Sequence, residues 1–308
     1  MLNINIDNDQ NQPLISYPAM KTSPLFRSVL LALGCSLLVA PTQGAEGSPR
    51  LTEVQVRGSD LFLAWTDGRP SYQLQVRSSV SEPWVNLGAP TTEHSMVVPL
   101  THSQAFYRVV ADFTARYQVV FQATWSQLTH PADWPANAHW SGIVGGTHND
   151  QVHFWREGET ASEGIRLMAE RGQQATLLAE IAPAIRNQTA HLSLAGGGIS
   201  TSPGSVALNF PQPMRRDFPL VTLVSMIAPS PDWFVGVDSL SLLADGEWVP
   251  KLTVDVYGYD AGTDSGASFA SPDKVTVPRG VVQRFTGFPA VNKGVVVPFG
   301  TFTFTRLD

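Results

Sequence analysis

The chain has 308 residues, of which 43% are hydrophobic and 15% charged, and its formal net charge is −6. There is enough apolar material to bury a sizeable core, which excludes the charge-rich disordered class. The acidic balance, with no long Lys/Arg run, excludes the electrostatic footprint of a nucleic-acid binder.

Residues 1–45 read as a segment that is removed. From Met20 to Ala45 a basic start (Lys21, Arg27) is followed by an apolar run from Val29 to Ala40 and a small-residue exit at Gly44-Ala45, the pattern of a secretory signal peptide. The stretch before it, MLNINIDNDQNQPLISYPA, is polar and acidic, the wrong charge for the front of a signal, so Met20 is the expected true start. The apolar run is shorter than the ~20 residues a membrane span needs, and no second one follows. The mature chain is therefore expected to be soluble and secreted, to the extracellular space or the periplasm. Cys35 is the one cysteine of the sequence. Its loss with the signal would leave no thiol for nucleophilic catalysis, thiolate metal sites or disulfides.

From 46 to 112 short strand-like runs alternate with turn signals: LTEVQV, DLFLAW, YQLQVRS, WVNLG, SMVVPL and FYRVVA, with Asp67-Gly68 as a tight-turn dipeptide. Tyr72, Leu74 and Val76 alternate with Gln73, Gln75 and Arg77, as a half-buried antiparallel strand requires. The pattern is similar to a fibronectin type III module, a small β-sandwich.

A second domain is expected over 113–308. Tyr117, Val119, Phe121, Ala123 and Trp125 share one face of a long core strand. Further strands are expected at 220–227, 240–243 turning through Asp245-Gly246 into Trp248, 252–257 and 301–305. One region reads as helix. Thr160 and Glu163 have the spacing of a capping box, Ile165, Met168 and Ala169 share a face, and Gly172 stands as the stop. A second short helix over 174–181 is expected to end before Pro183.

The chemistry concentrates in two acidic stretches, MIAPSPDWFVGVDSL from Met226 and YDAGTDSGASF from Tyr259. Asp232 lies between two structural prolines and a tryptophan. Asp260 and Asp264 share a loop that Gly262 and Gly266 allow to turn sharply. Three carboxylates brought together repel unless protons or a cation neutralise them. An all-oxygen, cysteine-free set in an exported protein suits calcium, which takes ~6 to 8 oxygens. Spacing alone equally fits Asx-type turns at Asp260 and Asp264 with Asp232 capping a strand end, and that is the commoner use of such residues.

These stretches, with TWSQLTHPADWPANAHWSGIVGGTHND from Thr124, FWREGETASEGIRLMAERG from Phe154 and DGEWVP from Asp245, resemble the spondin domain of F-spondin and mindin from about Tyr117 to the end. The resemblance implies an all-β, C2-like antiparallel β-sandwich with short helices and a calcium ion at one edge. It assigns Asp232, Asp260 and Asp264 as the metal ligands, and implies a non-enzymatic adhesion or matrix role toward an extracellular protein or glycan. The thrombospondin-type repeats, the reeler-type domain and the cysteines of the animal relatives are absent from this sequence. A stand-alone spondin protein of prokaryotic type fits that combination.

Two rival readings stand beside it. His130, His139, His148 and His153, with Asp133 or Asp150, would suit a metal-dependent hydrolase, but no HxxxH or HExxH pair sets two imidazoles on one helix face, and hydrogen bonding within the loops is the commoner use of such residues. Trp233 and Phe234 beside Asp232 would suit a calcium-dependent membrane contact, against the aggregation cost of exposing them.

Overall fold

A computed structural model of the chain describes residues 49–101, 105–244 and 247–308, together with the backbone alone at 2–6, 13–16 and 104. The signal-like segment 20–45, with Cys35, and the Asp245-Gly246 turn lie outside the described residues. The chain divides into two compact units, Met1–Thr114 and Ala115–Asp308.

The first unit is built from two antiparallel sheets. One runs Pro13–Ser16, Leu2–Ile6, Gln104–Val110, Gln73–Arg77, Val85–Asn86, and the other Arg50–Arg57, Asp60–Thr66, Ser95–Pro99. Leu61, Leu63, Trp65, Tyr72, Leu74, Val98 and Tyr107 form its core. Asp67 and Gly68 both adopt positive φ, 64° and 75°, and turn the chain from one sheet to the other. The strand expected to be half-buried is covered on both faces at its start. Gln73 is fully buried, and its amide donates to the carbonyls of Leu74 at 2.8 Å and Leu87 at 3.2 Å.

The second unit is all-β with two short helices. A four-stranded sheet runs Gly204–Asn209, Tyr117–Ala123, Gly300–Arg306, Lys251–Val256. A larger one runs Ala190–Ala195, Val144–His148, Leu220–Ala228, Trp233–Ser241, Gly258–Asp260, Gln283–Arg284, with His139–Trp140 also paired to Leu220–Ala228. Val119, Phe121, Phe302 and Phe304 of the first sheet and Leu192, Leu194, Val221, Leu223 and Val235 of the second belong to one core, which makes the pair a sandwich. Trp125 lies at its heart with Trp134, Trp140, Phe269 and Phe299 around it, ring centroids 5.0–6.0 Å away.

The helices cover the other face of the larger sheet. Helix α1 is Glu163–Arg171 and helix α2 is Ala175–Arg186. Ile165, Met168, Ala169, Leu177 and Ile181 pack with Val144, Val224 and Phe234. The expected capping box is displaced. Ser162, not Thr160, caps α1, its hydroxyl accepting the Ile165 N–H at 3.2 Å. The carboxylate that completes the cap is Glu180 of α2, which accepts the Gly164 N–H and the Ser162 hydroxyl, both at 2.7 Å, while Glu163 pairs with Arg166 and Arg279. Gly172 ends α1 in the left-handed conformation, φ 64°, as its position suggested.

Helix α2 runs through Pro183 instead of ending before it. A proline inside a helix forfeits a backbone bond. Burial of Leu177, Ile181 and Ala184 carries the helix past it, and the Pro183 carbonyl is still used, accepting the Asn187 N–H at 2.9 Å.

Candidate functional site

The segments that carry Asp232, Asp260 and Asp264 lie together at one end of the larger sheet. Asp232 sits in the turn that joins Leu220–Ala228 to Trp233–Ser241. Ser230 shapes that turn, its hydroxyl accepting the Trp233 N–H at 3.1 Å and donating to the Trp233 carbonyl at 3.3 Å. The stretch from Trp233, not among the strands expected from sequence, is a nine-residue strand, and this places Asp232 at its mouth. Asp260 ends the neighbouring strand, opposite Trp233 in the register, and the Ala261 N–H donates to the Asp232 carbonyl at 3.1 Å. Asp264 pairs with Val275 across an isolated bridge.

The Asp232 side chain is fully buried. Its Oδ2 accepts the Thr263 N–H at 2.6 Å, the Thr263 hydroxyl at 3.2 Å and the Asp264 N–H at 3.0 Å. Its Oδ1 is buried with no hydrogen-bond partner. Burial pushes the Asp232 carboxyl up to about 7, and the charge of Asp260 adds to the rise against the pull of the Thr263 and Asp264 donors.

Asp260 and Asp264 both form Asx-type turns: Asp260 Oδ1 accepts the Gly262 N–H at 2.7 Å and Asp264 Oδ1 the Gly266 N–H at 2.8 Å. The other Asp264 oxygen accepts the Lys274 N–H at 2.6 Å. Burial also raises Asp260, against the Gly262 N–H, with Asp264 adding to the rise. The Trp233 indole N–H favours the ionised form of Asp260 from nearby without reaching hydrogen-bonding geometry. Gly262 has a φ of 73°, and a Cβ there would stand 2.7 Å from the Gly280 carbonyl carbon, so only glycine fits the turn that separates Asp260 from Asp264.

The commoner turn-forming use of Asp260 and Asp264 is thus present in the structure, and Asp232 is more than a strand-end cap. An oxygen with no partner in a fully buried carboxylate, beside a second carboxylate, is a group that a proton or a hard cation would complete. The donor set is all oxygen, and a carboxylate oxygen that accepts one N–H retains a second lone pair. In donor type the three aspartates fit a hard divalent ion. Among the described residues no group of three or more His, Cys, Asp or Glu is arranged as a ready metal cage.

The four histidines of the rival hydrolase reading are each engaged with different neighbours. His130 is fully buried, with Nδ1 against the Thr129 hydroxyl at 3.0 Å and its ring 4.2 Å from that of Phe299, and burial pushes it down to about 4. His139 Nδ1 pairs with the Asn137 carbonyl at 2.7 Å. His148 bridges the Asn149 carbonyl and the Thr222 hydroxyl, both at 2.8 Å, and His153 pairs with Glu159 at 2.7 Å. Asp133 accepts the Phe269 N–H at 2.9 Å, and Asp150 is exposed. The membrane reading loses its aromatic pair. Trp233 packs on Phe269 and Phe285, Phe234 on Trp155 and Tyr259, and both are buried.

The residue that sequence reading passed over is Thr263, which gives Asp232 both its N–H and its hydroxyl. Its position between Gly262 and Asp264, inside a glycine-turned acidic loop, was the available signal.

The Spondin_N family profile matches residues 115–294, within the second unit. Spondin-2 of Rattus norvegicus is 38% identical over 197 residues, covering 63% of this chain and 58% of that protein, and Spondin-2 of Homo sapiens is 37% identical over the same length. Spondin-1 of Bos taurus is 35% identical over 181 residues, 56% of this chain and 22% of its own length. The chain thus spans less than two thirds of the spondin-2 proteins it matches and a quarter or less of the spondin-1 proteins. Among the described residues no helix is long and apolar enough to cross a membrane.

Proposed function

The chain belongs to the Spondin_N family, and from that premise we propose that it is a secreted calcium-binding adhesion or matrix module whose calcium-holding residues are Asp232, Asp260 and Asp264. The observation that carries this reading is the unpartnered, fully buried Oδ1 of Asp232 beside Asp260. Calcium at this point would supply the positive charge that the buried carboxylates lack. Asp232 and Asp260 would offer the oxygens left free by the loop, Asp264 its remaining lone pairs, and backbone carbonyls and water the rest. The partner on this reading is an extracellular protein or glycan, and the ion stiffens the loops at the sheet end that would meet it.

The test is thermal unfolding of the full chain at neutral pH in chelator and in calcium up to millimolar levels, since extracellular modules often bind at ~10⁻⁴ to 10⁻³ M. Binding to the native state raises the melting temperature with ligand concentration, and chelator reverses it. Asp264→Asn should blunt the response and Asp232→Asn should remove it. Equal shifts in wild type and both variants would place the ion elsewhere and defeat the assignment.

A further inference from the structure

The first unit, which the Spondin_N match does not include, carries a polar and aromatic face on its larger sheet. The register sets Arg77 opposite Phe106 and Gln75 opposite Arg108 and Asn86. Side chains alternate across a strand, so these five share the face turned away from Leu74, Tyr107 and Val109 of the core. Trp84 precedes Val85–Asn86 and lies against both guanidiniums, with Arg77 Cζ and Arg108 Cζ each 4.4 Å from its ring centroid.

The assembly is wired in place. Arg77 Nη1 donates to the Val80 carbonyl at 2.8 Å. Arg108 Nε donates to Gln75 Oε1 at 2.8 Å, and Gln75 Nε2 donates on to Asn86 Oδ1 at 2.7 Å. Arg108 is exposed and Trp84 half-buried. Among the described residues the terminal nitrogens of Arg108 and the Trp84 indole N–H make no hydrogen bond. The two guanidiniums also repel. Arg108 is held below its usual value by partial burial and by Arg77. A chain of net charge −6 thus sets two cations against a single indole.

We propose that this face, with Arg108 and Trp84 at its centre, docks a sulfated polysaccharide. A planar guanidinium can grip a sulfate through two parallel N–H donors, and the side-chain amides and indole N–H suit sugar hydroxyls between the charges. Nucleic acid fits less well. Its single strands want a free aromatic face for base stacking, whereas guanidiniums already lie against this ring, and its duplex wants a longer basic track. The proposal stands on the first unit alone and is independent of the calcium reading.

The experiment is titration of the full chain with dextran sulfate by calorimetry at low and physiological salt, in chelator and in calcium. Unsulfated dextran and a single-stranded oligonucleotide of matched length serve as comparison probes. Binding to dextran sulfate alone, weakened by salt and indifferent to chelator, is the expected result. Arg108→Gln should weaken it on the order of tenfold, the loss of one charge-assisted contact, and Arg108→Lys should recover only a fraction of that. Arg108 is exposed but donates to the buried Gln75, so the melting of both variants is measured beside wild type, and Arg108→Lys, which keeps a donor and the charge, separates the loss of that bond from the loss of sulfate contact. Trp84→Phe, checked for melting in the same way, should weaken binding through loss of the indole donor. Unchanged affinity in Arg108→Gln, equal binding of unsulfated dextran, or displacement by the oligonucleotide would each overturn the proposal.

Discussion

At Asp232 and His130 the fold holds two buried titratable groups that pull stability in opposite directions as pH changes. The Asp232 carboxyl is raised from 3.8 to about 7, so the folded state binds its proton more tightly than the unfolded chain does. Its contribution is fully present below pH ~4 and is lost as pH climbs to ~7. His130 is lowered from 6.5 to about 4, so its contribution is present above pH 6.5 and is lost as pH falls toward 4. Burial lowers His148 and His191 as well, which adds to the histidine side. In calcium-free wild type the two trends offset each other between pH 4 and 7. In Asp232→Asn the histidines act against the raised Asp260 alone, so the unfolding free energy of that variant should rise with pH over the same interval, by at most about 3 kcal/mol from His130. The same variant should be more stable than calcium-free wild type at pH 8 by roughly 2 to 4 kcal/mol, because it removes a buried charge while its amide oxygen can still accept the Thr263 and Asp264 N–H groups. A wild type that loses stability steadily from pH 7 to 4 with an Asp232→Asn variant of the same slope would show that Asp232 ionises freely. The sequence could nominate Asp232 because prolines and tryptophan flank it. It could not show that one oxygen is left bare, since that depends on where Thr263 brings its donors from another loop.

At the level of elements, the features legible in the sequence are those whose signal is local. The alternation of Tyr117, Val119, Phe121 and Ala123 marks a strand buried on one face and half-open on the other, and the structure has that pattern. Gly172 stops α1 because only a residue at ease with positive φ ends a helix that way. What failed to show is whatever a distant partner decides. The strand Trp233–Ser241 has two buried faces at its start, so it lacks the alternation that would mark it. The α1 cap is completed by Glu180 of the next helix, which the nearby Glu163 concealed. Ser162→Ala should therefore cost about 1 to 2 kcal/mol, and the Ser162→Ala, Glu180→Ala pair should lose less than the sum of the single changes, because both remove one network. Strictly additive losses would mean that the two residues act separately. Gly145 is a harder constraint. A Cβ there would lie 1.9 Å from the Thr222 carbonyl oxygen on the adjacent strand, so Gly145→Ala must force neighbouring central strands away from each other. A loss above about 3 kcal/mol, or failure to accumulate folded protein, is expected from overpacking of that severity.

For the molecule as a whole, the two units hold separate cores and the two proposed ligands address different ones. A ligand that binds only the native form of one unit raises the unfolding temperature of that unit in proportion to RT ln(1 + [L]/Kd), and leaves an uncoupled unit where it was. Calorimetry of the full chain should then resolve two transitions in place of the single one usual for small domains. Calcium should move the transition of residues 115–308 and leave the other in place, while dextran sulfate should move the transition of residues 1–114. Asp232→Asn should silence the first response without touching the second, and Arg108→Gln the reverse. If one ligand shifted both transitions together, or if the chain melted in one step under every condition, the units would be energetically coupled.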